Sequence, residues 1–411
     1  MFKIDEAKPE FRDVKFATPL VIGKGSIEYI TEATVKVGVS SNGKHGEGTG
    51  QGFLSDIWAQ KADINLNGKV LSSENPIERH QFLDARMREM VEYSCGYHNN
   101  QTFANPLQAY NLTVAGHVRK GIELKLEPLA IAVAISPIDN AIWEAFADMQ
   151  GISVFECLHR NYSKFLNPPR NEIRVLHTVG GGDIIYNSEV KESYKDGVPQ
   201  TLEAWIKEEG LSAFKIKLKG NPDADSDRIE RIYALANDIP DLRYFRYSLD
   251  ANESYDITRL KKLMDWLSKK PFFGALLFVE QPLSRYSKEQ IPESIKEYGK
   301  PIVADESLVR VDDVYSVYNL GYTGIALKPI ARGYSVTFQQ IPIASNLGMY
   351  LTVQDLTSNN EALRIHLDFA RRIGSSEDCV EANARQYVST QDRDSNYAHL
   401  YNVKNGVIRY S

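Results

Sequence analysis

The stretch RYSLDANESYDITRLKKLMDWLSKKPFFGALLFVEQPLSRYSKEQIPESIKEYGKPIVADES, residues 246–307, decides the fold. It holds three short apolar runs, RYSLDAN (246–252), ALLFVEQP (275–282) and PIVADES (301–307), separated by polar stretches with helical spacing. Each run has the length of a strand and carries a carboxylate at its end: Asp250, Glu280 and Asp305. Working outward, the same unit recurs on both sides. Upstream lie IRVLHTV (173–179) and AFKIKLK (213–219); downstream lie GIALKP (324–329), MYLTVQD (349–355) and CVEANA (379–384). Several of the stretches between open with Asp or Ser in an N-cap position, as DITRLKKLMDWLSKK (256–270) does, and several close with Gly, as SKEQIPESIKEYG (287–299) does. Eight strands alternating with helices, at repeats of roughly 25 to 40 residues, predict an α/β chain built on a (β/α)8-type TIM barrel. An open doubly wound sheet is the alternative that alternation alone permits.

The 411 residues predict more than one domain, and 43% hydrophobic with 25% charged residues marks a folded chain. Lys+Arg 48 against Asp+Glu 54 leaves −6. No basic excess exists to neutralise phosphates, which argues against nucleic acid or a membrane surface and for a small-molecule partner. Cys95, Cys157 and Cys379 form no CxxC and no even set, so neither a disulfide framework nor a zinc site is expected. The run LAIAVAISPI from Leu129 is short for a membrane span, and MFKIDEAKPEFRD has charges where a signal peptide needs an apolar run. A cytoplasmic location is the expectation.

The first third reads as a mixed α+β unit. Ile27 to Val39 predicts a strand, and SSNG (40–43) a hairpin turn. The glycines of GEGTGQGFLSDIW, Gly46 to Trp58, do not fit GxGxxG; the segment reads either as a mobile loop beside a ligand or as a plain hairpin loop. Helical spacing runs from Asn75 to about Tyr93 and from Ile138 to about His159.

In such a barrel the active site forms at the C-terminal strand ends. Here those ends carry Lys215 and Lys217, Asp250 and Asn252, Glu280, Asp305 and Glu306, Lys328, Asp355, and Glu381 with Asn383. Three acids on adjacent strands repel unless a cation sits among them, and an oxygen-only set suits Mg²⁺, with Mn²⁺ as the alternative. The other reading pairs one of the acids with Lys or Arg. Lys215 and Lys217, two apart, share a face. Lys328 lies four strands from Lys217, half the circumference of an eight-stranded circle. A substrate carboxylate on the metal would then set its α-carbon between two lysines, with clustered positive charge lowering a lysine pKa towards neutrality. Interior salt bridges are the structural alternative for these lysines. His177 and Thr178 end the first run as candidate substrate contacts, and Gly180 to Gly182 follow either as a ligand-approach loop or as a simple turn.

The motifs KIK (215–217), LDAN (249–252), VEQP (279–282), ADES (304–307) and ALKP (326–329), with SPIDNAIWEAFADMQGISVFECL (136–158) before them, resemble the enolase superfamily and within it the muconate lactonising subgroup. The resemblance implies an α+β capping domain of residues 1–165 joined by 386–411, and a catalytic barrel of 166–385. It implies Asp250, Glu280 and Asp305 as metal ligands, Lys217 and Lys328 as the acid/base pair, Lys215 as their electrostatic neighbour, cap loops such as 46–58 closing over substrate, and a homo-oligomer. Asn252, His177, Thr178, Asp355, Glu381 and Asn383 complete the candidate substrate contacts. Strand seven lacks the histidine of sugar-acid dehydratases, His366 lying in the next helix. Glu381-Ala-Asn383, followed by Arg385, stands where dipeptide epimerases carry Asp-x-Asp. Lys328-Pro329 looks like the corresponding strand of some o-succinylbenzoate synthases. The expected function is Mg-dependent removal of a proton α to a substrate carboxylate through a metal-stabilised enediolate, by a racemase or epimerase. The alternatives are a lyase of the o-succinylbenzoate synthase kind or a cycloisomerase and, from another class, a non-catalytic carboxylate-binding barrel.

Overall fold

The computed structural model describes residues 1–22, 25–66, 69–158, 160–191, 198–239, 245–373 and 379–410. Its first sheet is antiparallel, with β1 (Phe2–Ile22), β2 (Gly25–Ser41) and β3 (Lys44–Phe53) followed by a small hairpin of β4 (Ile64–Leu66) and β5 (Lys69–Leu71). With β6 (Thr102–Phe103), the four-stranded sheet runs β3-β2-β1-β6. Asn42 and Gly43, at φ 49° and 77°, supply the two left-handed residues of a tight β2–β3 hairpin, where Ser41 pairs with Lys44. The expected turn is therefore present.

The glycine-rich segment beyond it is not a loop. Gly46 to Phe53 continues β3, paired with β2 from Val39↔Gly46 to Glu32↔Phe53. Gly46, Gly48 and Gly50 share the face that meets the helix Pro128–Gln150, where a Cβ would stand 2.4 Å from Ala145 O, 2.2 Å from Ala145 N and 2.0 Å from Pro137 O respectively. The glycines permit close approach of strand and helix backbones rather than motion.

That helix also starts earlier than its spacing predicts: the apolar run from Leu129 is its first half, and Gly151 at φ 70° ends it well before His159, which lies outside the described residues. By length and composition it could cross a membrane, yet 89% of its apolar window is buried within the protein. Its far face is tied to the barrel. Asp139 accepts from Ser335 N at 2.8 Å and Oγ at 2.6 Å, Asn140 Oδ1 from Tyr334 N at 2.9 Å, and Trp143 Nε1 donates to Ser335 Oγ at 2.9 Å. The helix foreseen from Asn75 to Tyr93 spans Pro76–His98.

All eight predicted runs are strands: β7 (Glu172–Val179), β8 (Ala213–Lys217), β9 (Arg246–Asp250), β10 (Leu276–Glu280), β11 (Ile302–Ala304), β12 (Gly324–Leu327), β13 (Tyr350–Val353) and β14 (Cys379–Glu381). They form one parallel ladder in the order β14-β7-β8-β9-β10-β11-β12-β13, the eight strands expected of a (β/α)8-type barrel. Between β13 and β14 the described residues form no ladder; the seam is bridged by Asp355 N–H to Glu381 Oε2 at 3.1 Å and Asn383 N–H to Asp355 Oδ2 at 2.9 Å. After 386, Val388 bridges to Phe16 of β1, and the hairpin β15 (Val403–Lys404) and β16 (Val407–Arg409) pairs with β7.

Inside the ladder, Leu176, Ala213, Phe278, Val303, Ala326 and Cys379 belong to one apolar cluster. Two residues further along the same strands, and so on the same face, stand Thr178, Lys215, Glu280, Asp305, Lys328 and Glu381. A polar layer thus rests on an apolar floor.

Two outcomes follow from this packing. Gly48→Val should lower stability by about 1–3 kcal/mol through overpacking, whereas Gly38→Ala, whose Cβ would meet nothing within 4 Å, should not; urea unfolding measures both. Burial pushes His98 down to about 4 and His117 to about 3, from 6.5. Both stay neutral in the fold and take up protons on unfolding, so their contribution is complete above about pH 6.5 and is lost as pH falls towards 4. The urea midpoint should follow that slope, and His117→Phe should flatten it.

Candidate active site

The polar layer is a network of buried charges. Lys217, Asp250 and Glu280 stand in register across β8, β9 and β10, and Asp305 follows the end of β11. Lys215 Nζ lies 3.0 Å from Asp250 Oδ2, 2.9 Å from Glu280 Oε2 and 3.0 Å from Glu381 Oε2, and donates to Gln354 Oε1 at 2.8 Å. Lys217 Nζ donates to Asp250 Oδ2 at 2.6 Å, and Lys328 Nζ to Asp305 Oδ2 at 2.7 Å. Arg332 Nη2 takes the other oxygen of Asp305 at 2.6 Å and its carbonyl at 2.6 Å. Every one of these side chains is buried.

The charges set one another's protonation. Burial opposes charge on Lys215, but Asp250, Glu280 and Glu381 outweigh it and hold its pKa well above the ordinary lysine value. Lys217 is also raised, Asp250 overcoming burial and the repulsion of Lys215. The expectation of a lowered lysine pKa is thereby corrected for the side chains alone: the acids of the ring outweigh the neighbouring ammonium. Asp250 is held down at about 2, Lys215 and Lys217 overcoming burial. Glu280 goes the other way, raised well above the carboxylate range by burial and by Asp250.

A small cavity of about 30 Å³ opens over the ring, its lining including Lys215, Lys217, Asn252, Asp305, Lys328, Asp355, Glu381, Asn383 and, from the cap, Trp58. Two sequence candidates do not reach it. His177 is adjacent to Thr178 on a strand of period two and therefore faces outward, packed on Trp205 at 5.4 Å with Arg385 Nη2 2.8 Å from its Nδ1. Thr178 faces inward but sits behind Glu381, donating to Oε1 at 2.6 Å. The glycines after them pack on their own chain, Gly181 N–H donating to Val21 O at 3.0 Å. Asp355 lines the cavity, yet its oxygens accept the N–H groups of Leu356, Ser358 and Asn383. Sequence reasoning missed Trp58, Gln354 and Arg332. Gln354 precedes Asp355 on a recognised run, but Arg332 lies in a helix and Trp58 in the cap, where no strand-end signal points.

The three expected metal ligands are neighbours, but each is turned onto a cation. Among the described residues no three acid, His or Cys side chains are arranged so that they could hold a metal ion as they stand. The donor set nevertheless fits a hard dication: three buried carboxylates at the ends of consecutive strands, with oxygen donors only.

A family model described as enolase C-terminal domain-like matches residues 198–407, just over half of the chain. The L-Ala-D/L-Glu epimerase of Bacteroides thetaiotaomicron is 27% identical over 157 residues, 38% of this chain and 38% of its own length. The o-succinylbenzoate synthase of Bacillus subtilis is 26% identical over 205 residues, 49% of this chain and 46% of its own. The chain thus spans half or less of the length of these curated relatives. Among solved structures, the dipeptide epimerase of Enterococcus faecalis, complexed with Mg and L-Leu-L-Tyr, superposes with TM-score 0.63 at 16% identity, covering 93% of this chain and 90% of that one. The muconate lactonizing enzyme of Pseudomonas fluorescens gives 0.57 at 17% identity, covering 91% and 85%.

Arg332→Met would strip Asp305 of one of its two cationic partners and leave the Ala326 carbonyl, 2.9 Å from Nη1, unpaired. Breaking such a buried pair costs about 3–5 kcal/mol. Urea unfolding should register that loss; a change below about 1 kcal/mol would contradict the burial of the pair.

Proposed function

We propose, from the premise that the chain belongs to the enolase C-terminal domain-like family, that it is a metal-dependent enzyme removing the proton α to a substrate carboxylate, as a racemase or epimerase. The observation that carries the reading is the placement of Lys217 and Lys328. They end β8 and β12, with the acids of β9, β10 and β11 between them, and both line the same cavity.

Asp250, Glu280 and Asp305 would hold Mg²⁺, with Mn²⁺ as the alternative. When bound, the dication supplies charge that neutralises the three acids, loosens the hold of Asp250 on Lys217 and stabilises negative charge on the substrate carboxylate. The remaining chemistry belongs to the chain. A neutral lysine on one face takes the α-proton, the C–H electron pair moves into the carboxylate, and the ammonium of the other lysine returns a proton to the opposite face. Lys215, ion-paired with Asp250, Glu280 and Glu381, stays charged. The apolar floor excludes water from beneath.

The acids at the substrate end already have hydrogen-bond partners within the chain. Glu381 is engaged by Lys215 and Thr178, and Asp355 by backbone amides, whereas Asn252 Oδ1 and Asn383 Oδ1 accept no hydrogen bond. Such acceptors suit an amide N–H or a hydroxyl better than an ammonium, which favours N-acyl amino acids or hydroxy acids over free dipeptide amines. A small-molecule carboxylate acted on by a cytoplasmic homo-oligomer, with 1–165 and 386–411 capping a 166–385 barrel, completes the reading.

A second reading, a lyase or cycloisomerase, has one observation in its favour: Lys328 Nζ lies 4.4 Å from the Trp58 ring centroid and is paired with Asp305, a setting for a lysine that stays charged.

The test is a screen of N-acyl amino acids, dipeptides and hydroxy acids for α-deuterium exchange in D₂O. Excess chelator should abolish exchange, and Asp305→Asn should weaken Mg²⁺ binding in calorimetry. Lys217→Ala and Lys328→Ala should each lose about 10²- to 10⁴-fold on one enantiomer and keep the other. Exchange of a single enantiomer by the wild type, abolished by either substitution, selects the lyase or cycloisomerase. Full exchange in chelator defeats both.

A further inference from the structure

One cap side chain reaches the charge ring without belonging to it. Trp58 lies in the short helix Asp56–Ala59 that follows β3, and it is buried. Its indole Nε1 donates to Glu306 Oε1 at 3.0 Å, and the same oxygen accepts from Asn252 Nδ2 at 2.9 Å. The backbone is held as well. Arg285, paired with Glu253 at 2.8 Å, donates from Nη2 to Trp58 O at 2.8 Å and from Nη1 to Ala59 O at 3.1 Å. Loops that follow β9, β10 and β11 thus fix this residue by its edge and by its carbonyl.

With its edge fixed, the indole turns its face to Lys328, whose Nζ lies 4.4 Å from the ring centroid. Asp305 holds the same ammonium at 2.7 Å. Lys217 is held by Asp250 at 2.6 Å, and among the described residues no aromatic ring faces it. The two lysines are therefore built differently. A lysine head on a four-carbon stem samples many rotamers; a desolvated aromatic face opposite a carboxylate leaves few.

We infer that Trp58 is a positioning residue for Lys328, fixing its ammonium toward the substrate face served by the end of β12 and having little part in the face served by Lys217. The inference rests on the two-lysine reading. It assigns the cap a role in proton transfer on one face, beyond covering the substrate.

Two arms test it. In the first, exchange is measured in D₂O with an N-acyl amino acid or dipeptide that the wild type exchanges. Trp58→Leu is placed in the Lys217→Ala background, where Lys328 is the sole base, and in the Lys328→Ala background. Exchange should fall roughly 10- to 30-fold in the first, through loss of the ring that orients the lysine, and far less in the second. Trp58→Phe, which keeps a ring face and loses the Glu306 bond, should fall between Leu and wild type. Equal losses in both backgrounds would make Trp58 a structural lid and overturn the inference. The second arm needs no activity. With ¹⁵N-indole labelling, the Trp58 Nε1–H resonance, assigned by its loss in Trp58→Phe, should move in Lys328→Met and hold its position in Lys217→Met. An unmoved resonance in Lys328→Met overturns the inference. Should the wild type exchange one enantiomer or none, the two-lysine reading falls and this second arm still decides whether Trp58 holds Lys328.

Discussion

A lysine ammonium buried among three carboxylates is the constraint on which this structure turns. Lys215 contacts acids of β9, β10 and β14 at 2.9 to 3.0 Å, and all four side chains are buried. Removing the ammonium would leave like charges facing one another in a low-dielectric space, an arrangement far costlier than the loss of one surface ion pair. Asp250, Glu280, Asp305 and Glu381 are matched by Lys215, Lys217, Lys328 and Arg332, so the ring closes its own charge. Glu306, just outside, has Trp58 and Asn252 as donors and is pushed up to about 7 by burial and by Asp305. The balance is tight enough that any further charge entering the site must change which groups hold protons.

That ring needs a dry floor and a firm roof. The floor is the apolar layer two residues below it. The roof depends on the helix Pro128–Gln150, which is bound on one side by glycine-to-backbone contact with β3 and on the other by the Asp139, Asn140 and Trp143 hydrogen bonds to the helix after β12. Gly333, at φ 78°, breaks that barrel helix where a Cβ would stand 2.4 Å from Asp139. The break follows Lys328 by five residues, so the packing of the cap helix and the aim of the lysine share one short segment.

The strands of the barrel were legible because short apolar runs ending in charge and spaced by capped helices suit few architectures besides a parallel barrel. Lys217, Asp250, Glu280, Asp305 and Lys328 were legible for the same reason. Parity defeated His177: a run of two polar residues at a strand end does not reveal which one faces in, and only pairing with β8 and β14 decides it for Thr178. The glycine strand hides its nature because glycine signals a turn far more often than a close backbone contact, and the helix it touches lies some ninety residues further along the chain. The segment 46–58 was expected over the substrate, but nothing in it singled out Trp58, since its partner Glu306 is 248 residues away. The lowered lysine pKa expected from clustered ammonium groups fails because the carboxylates beside Lys217 outweigh its neighbour Lys215 and raise it.

The residues that follow the motif carboxylates brace the strand ends. Gln281, after Glu280 in VEQP, is fully buried and sits at φ 34°, a backbone state that L-residues adopt at a cost. Its Oε1 accepts from Asp305 N at 2.8 Å and Ser307 N at 3.2 Å, and its Nε2 donates to Leu283 O at 2.8 Å and Ser307 Oγ at 2.7 Å. One side chain thus satisfies the N–H groups at the end of β11 that the next strand leaves unpaired, and it fixes where Asp305 begins. Asn252 repeats the device one strand earlier: at φ 39°, its N–H donates to Asp250 Oδ1 at 3.0 Å while its side chain reaches Glu306. Strain at these two positions is offset by the bonds it allows. The gain is geometric, since it sets Asp250, Glu280 and Asp305 on three adjacent strands with their carboxylates turned inward and their own backbones held still.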